Sequence, residues 1–117
     1  MSNLQGKCIL VLEHDAEIAT QLVLALEAAG ADVVYTANAL EALDRLTHFH
    51  FNAAVIDCFD SAENWKRIAA RLQELNVQFC ALSRDGKMQD WGAPVIRQVE
   101  QVVPALVTLL TPTIETT

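Results

Sequence analysis

The sequence is short of positive charge: eight lysines and arginines stand against fifteen aspartates and glutamates, a formal net charge of -7. A chain so balanced repels phosphate backbones and anionic headgroups, so neither nucleic acid nor a membrane surface is expected as a partner. Although 52% of the residues are hydrophobic, no apolar run reaches the roughly eighteen residues that a spanning helix needs. Met1 to Lys7 is polar and lacks the basic-then-apolar order of a secretion signal, which predicts a cytoplasmic protein. Cys8, Cys58 and Cys80 show no C-x-x-C spacing, which argues against a disulfide framework or zinc site and leaves them as buried thiols. Nor is there a glycine-rich turn after the first apolar run, where Glu13-His14-Asp15-Ala16-Glu17 stands instead. Dinucleotide, P-loop and FMN phosphate sites are therefore not expected.

What the chain does contain is a regular alternation. Lys7 to Leu12 is a nearly continuous apolar run ending at Glu13, the pattern of a strand covered on both faces. Asp15 can cap a helix in which Ile18, Leu22, Leu26 and Ala29 recur three or four residues apart, with Gly30 as its stop. Asp32 to Thr36 reads as a second strand, and Asn38 starts a helix that presents Leu40, Leu43 and Leu46. Ala53 to Asp57 repeats the first strand's plan, apolar residues ending in an acid. Ser61 can cap a helix to about Leu75 with Trp65, Ile68 and Leu72 on one face. Val77 to Leu82 makes a fourth strand ending at Ser83, and Pro94 to Arg97 a weaker fifth. An apolar helix follows through Val99, Val102, Val103, Leu106 and Leu110, with Pro104 marking a kink or a later start.

This order predicts an α/β fold, a doubly wound five-stranded parallel sheet with right-handed crossovers. The 117 residues fit one domain, with a core over 6–111 and no room for an effector beside it. If the first and third strands are neighbours, their terminal acids meet in one crevice at the carboxyl ends of the sheet.

The wording at those strand ends goes further. Ile9 to Ala19, Ala29-Gly30, Asn38 to Leu43 and Val55-Ile56-Asp57, in that order and spacing, resemble response-regulator receiver domains of two-component signalling. The resemblance implies a flavodoxin-like strand order 2-1-3-4-5 and a signalling role rather than enzymatic turnover. It makes Asp57 the acceptor of a phosphoryl group from a histidine kinase or phosphotransfer protein, and Ser83 a contact to that group. Mg2+ would be held by Glu13, Asp57 and the backbone carbonyl of Phe59, with His14 at the position of the family's second acid. The family's lysine falls on Gln98, and the lysine-proline pair is missing. Arg97 would reach the pocket only if the fifth strand slipped by one residue. Fifteen residues from Ser83 to Gln98 imply a shortened fourth helix, and Val95 stands where an aromatic is usual.

The chemistry explains why these residue types matter. A carboxylate attacking phosphorus approaches a group that is already negative, so cations and donors must neutralise the phosphoryl oxygens. Replacing an acid by His14 removes negative charge and adds a nitrogen that Mg2+ takes reluctantly and transition ions such as Mn2+ accept. Each residue also has a plain structural reading: Asp57 as a turn acid, Ser83 as a cap, His14 as a surface histidine. A cysteine enzyme would need a base beside Cys58, and only His14 offers one. Two functions thus follow: a phosphoacceptor receiver acting on a downstream protein target, and a phosphorylation-independent pseudo-receiver that binds a partner through the first helix or Asp85 to Val102. A homodimer through the last helix is a further option, although burial on the sheet is the expected use of most of its apolar face.

Overall fold

The structure, a computed structural model, describes residues 3–57, 62–83 and 93–111. Five strands, β1 (Cys8–Leu12), β2 (Asp32–Thr36), β3 (Ala53–Asp57), β4 (Gln78–Leu82) and β5 (Val95–Ile96), form one parallel sheet in the order β2-β1-β3-β4-β5. The order follows from composition: β1, β3 and β4 are the apolar runs, and only central positions bury both faces of a strand.

Alternate residues of those strands feed two cores. Leu10, Leu12, Ala54, Ile56, Phe79 and Ala81 meet Ala42 and Leu46 of α2 (Ala39–His48) and Trp65, Ile68 and Leu72 of α3 (Ala62–Glu74). Ile9, Val11, Val55, Cys80 and Leu82 meet Leu22 and Leu26 of α1 (Ala16–Ala28) and Val102 and Leu106 of α4 (Val102–Leu110). Period two in the strands thus meets period 3.6 in the helices.

Local signals set the helix ends. Asp15 accepts from the amides of Glu17 and Ile18, and Asn38 from that of Glu41 at 2.9 Å. Gly30, at φ +94°, ends α1 in a left-handed turn that a side chain would resist.

Two expectations are corrected. Leu40 is 72% exposed, and α2 buries Ala39, Ala42 and Leu46 instead, because the inward stripe is centred one residue earlier than the leucine spacing suggests. The fifth strand is only two residues long and ends at Ile96. The last helix makes the later start that Pro104 suggests: a 3-10 turn at Val99–Gln101 precedes α4, so Pro104 falls in the first α-helical turn, where its missing N–H costs little. The apolar residues of this helix beyond Val102 and Leu106 are partly buried against the sheet core. Ser61 and the expected short fourth helix fall outside the described residues.

The two layers predict unequal sensitivities. Leu72→Ala, at a fully buried position, should cost about 2 to 5 kcal/mol, whereas Asn38→Ala should cost about 1 kcal/mol. Urea unfolding of both variants checks this ranking, and equal losses would contradict it.

Candidate functional site

Parallel pairing of β1 and β3 puts Leu12 opposite Ile56. One residue further on, Glu13 and Asp57 therefore leave the sheet side by side. The backbone of Glu13 is pinned from β2: its amide donates to Thr36 O at 3.1 Å, and the Tyr35 hydroxyl donates to its carbonyl at 2.9 Å. Its carboxylate is pinned from the next turn, where the Asp15 amide donates to Oε2 at 3.0 Å. Because Asp15 also caps α1, the segment Glu13-His14-Asp15 is tied to the sheet at one end and to a helix at the other.

Held this way, His14 Nδ1 contacts Asp57 Oδ2 and lies 3.4 Å from Glu13 Oε2. One ligand atom from each of Glu13, His14 and Asp57 falls within 4.8 Å of the others. Side-chain exposure rises from 4% at Glu13 to 12% at Asp57 and 44% at His14, so the imidazole stands at the mouth and the acids behind it. Burial, followed by a hydrogen bond shared with Asp57, pushes the Glu13 carboxyl up to about 7; the Asp15 amide pulls the other way. A carboxyl so raised holds a proton that a bound cation could replace.

Ser83 is buried where the chain leaves β4, one residue beyond the Leu82 that pairs with Asp57, and its amide donates to Ile96 O at 2.8 Å. Gln98 lies two residues past β5, exposed and extended at the head of the 3-10 turn. Arg97 follows Ile96 as Ser83 follows Leu82, the pair that ends the β4–β5 register, and it is exposed. Phe59 lies outside the described residues.

The thiols offer no competing chemistry. Burial pushes Cys80 up to about 12, and burial followed by the charge of Asp32 raises Cys8. Cys58 is outside the described residues.

The raised Glu13 carboxyl has a consequence for stability. In the unfolded chain Glu13 titrates near 4.5 and in the fold near 7. Between those values the native state binds more protons, so its stability falls as pH rises through that window and levels off above it. Glu13→Gln, whose amide oxygen can still accept from Asp15, should therefore stabilise the protein at pH 8, by an amount on the order of 2 kcal/mol. The gain should disappear near pH 4. Urea midpoints of both proteins across this range, with a chelator present, check it; parallel profiles would show that the carboxyl is not raised.

Comparison with solved structures places this geometry in context. The receiver domain of the Francisella response regulator 1452 superposes with a TM-score of 0.74 at 19% identity, covering 90% of this chain and 96% of that one. A CheY-like response regulator receiver domain protein from Methanospirillum hungatei gives 0.75 at 18%, covering 89% and 93%. A de novo designed protein of the Rossmann 2x3 fold gives 0.69 at 19%, covering 89% of each chain. No protein-family model and no curated protein matches the sequence. Among the described residues no helix is long and apolar enough to cross a membrane. With its five parallel strands in the order 2-1-3-4-5 and acids at the ends of the first and third, the chain has the fold of response-regulator receiver domains.

Proposed function

We propose that this chain is a receiver domain of two-component signalling, accepting a phosphoryl group on Asp57 from a histidine kinase or phosphotransfer protein and passing the signal on by protein contact. The observation that carries this reading is the juxtaposition of Asp57 with the buried Glu13 at neighbouring strand ends.

In the reaction, an Asp57 oxygen attacks phosphorus, the acyl phosphate bond forms, and the bond to the donor breaks with its electron pair leaving on the donor. Two carboxylates with an imidazole suit a divalent cation, which when bound neutralises the phosphoryl oxygens. Glu13, buried and fixed by the Asp15 amide, would give up its proton to that ion and supply a carboxylate at the base of the pocket. Ser83 would donate a hydrogen bond to a phosphoryl oxygen, and Arg97, level with it, would supply the fixed positive charge expected of the family's lysine. Gln98, exposed beyond the strand end, would bring a neutral amide in place of that charge. His14 must first give up its contact with Asp57, and its exposure leaves it room to turn away.

That same contact favours a second reading, a pseudo-receiver that binds its partner without phosphorylation. In it, His14 stays on Asp57 and closes the acceptor. The exposed Leu24 and Tyr35 beside Ala16, Thr20 and Val23 form an apolar groove along α1 for a downstream protein target.

Acetyl phosphate or phosphoramidate with Mg2+ or Mn2+, followed by intact mass, separates the two. The expected outcome is one phosphoryl increment on the native chain and none on Asp57→Asn. No increment with either ion would leave the binding module.

A further inference from the structure

A receiver implies Mg2+, an ion that prefers six oxygens at about 2.0 to 2.1 Å and keeps several waters. The donors present here are different. Among the described residues, the cluster able to hold an ion consists of two carboxylates and one imidazole nitrogen, from Glu13, Asp57 and His14. Nitrogen in place of a third carboxylate lowers the charge that attracts a hard ion and adds a ligand suited to Mn2+, Co2+ or Zn2+.

The spacing is of the size an octahedral dication needs, Mg2+ included, so the preference between ions rests on the donor types. Around an octahedral centre with bonds of about 2.1 Å, neighbouring donors lie roughly 3 Å apart and opposite donors about 4.2 Å. His14 Nδ1 and Glu13 Oε2 are 3.4 Å apart, and the whole set spans no more than 4.8 Å. The His14 contact with Asp57 must open to admit the ion. The imidazole is at the mouth and 44% exposed. Glu13 is already aimed at the cluster, held in place by the Asp15 amide behind it.

The geometry points to a mixed imidazole and carboxylate centre, Glu13-His14-Asp57, that selects a first-row transition dication over Mg2+. It shares its ligands with the proposed function and rests on that reading for what the bound ion does, but not for whether the ion binds. One atom of each residue suffices, and the remaining positions fall to water or to a phosphoryl oxygen.

The test is a titration of the full chain with Co2+, whose visible bands report its ligands, and competition with Mg2+. His48→Ala and His50→Ala are kept in the background, so that His14 is the last of the three histidines. One equivalent of Co2+ should bind, and Mg2+ should displace it only at about tenfold or greater excess. His14→Ala should weaken Co2+ about ten- to hundredfold and leave Mg2+ nearly unchanged. His14→Asp, which restores a third carboxylate, should move the preference toward Mg2+, and far-UV circular dichroism confirms that both variants fold. Displacement by equimolar Mg2+, or Co2+ affinity unaltered in His14→Ala, overturns the inference. No phosphoryl donor is present in the titration. Phosphorylation of Asp57 supported by Mg2+ alone would thus leave the proposed function standing without this centre, and Co2+ binding without any phosphorylation would leave the reverse.

Discussion

Two acids are forced together by a sheet register, and the surroundings of this site follow from that constraint. β1 and β3 pair in parallel through residues that are almost wholly buried, so a slip of one position would turn every apolar side chain to the wrong core. The register is therefore fixed by packing far from the site, and the proximity of Glu13 and Asp57 comes with it. Burial first, then the hydrogen bond to Asp57 and the charge of that acid, disfavour ionisation of Glu13 and raise its carboxyl to about 7, while the Asp15 amide and His14 act against that rise.

The gradient of exposure gives the three residues distinct work. Glu13 is enclosed and anchored. Asp57 lies between, shielded yet reachable. His14 is at the opening, the most exposed member of the cluster. In either functional reading the contact between His14 and Asp57 is the variable element: it closes the acceptor when formed and exposes it when broken. Ser83 and Arg97 stand one row further along the sheet, past the Leu82–Ile96 pair.

Most of the fold was legible because it is written in short-range patterns. Apolar runs of strand length marked β1, β3 and β4, and caps such as Asp15 and Asn38 marked the helix starts. What failed was finer. Leu40 was grouped with Leu43 and Leu46 because it is a leucine, yet Ala39 and Ala42 are the residues that face the sheet; small residues carry little hydropathy, but they are what allow a helix to approach closely. Of the site, Glu13 and Asp57 could be paired in advance because each ends a buried strand. The place of His14 against both acids could not, since it depends on how the turn to α1 is tied by the Asp15 amide. The fifth strand is shorter than its apolar stretch suggests because its length, only two residues, is set by its pairing with β4 rather than by its own composition.

Fold and site are separable here, and that decides where the functional argument must stand. The alternation of Ile9, Val11 and Val55 against Leu10, Leu12 and Ile56 would build the same two cores whatever residues followed the strands. A designed chain of similar architecture superposes nearly as well as natural receivers do. At position 13 the carboxylate does hold the turn to α1 by accepting from the Asp15 amide, yet an apolar residue there would avoid both the desolvation and the repulsion. The sheet would close without that acid, so the likeness of fold says nothing of what the strand ends do, and the functional argument must stand on the side chains at positions 13, 14 and 57 alone.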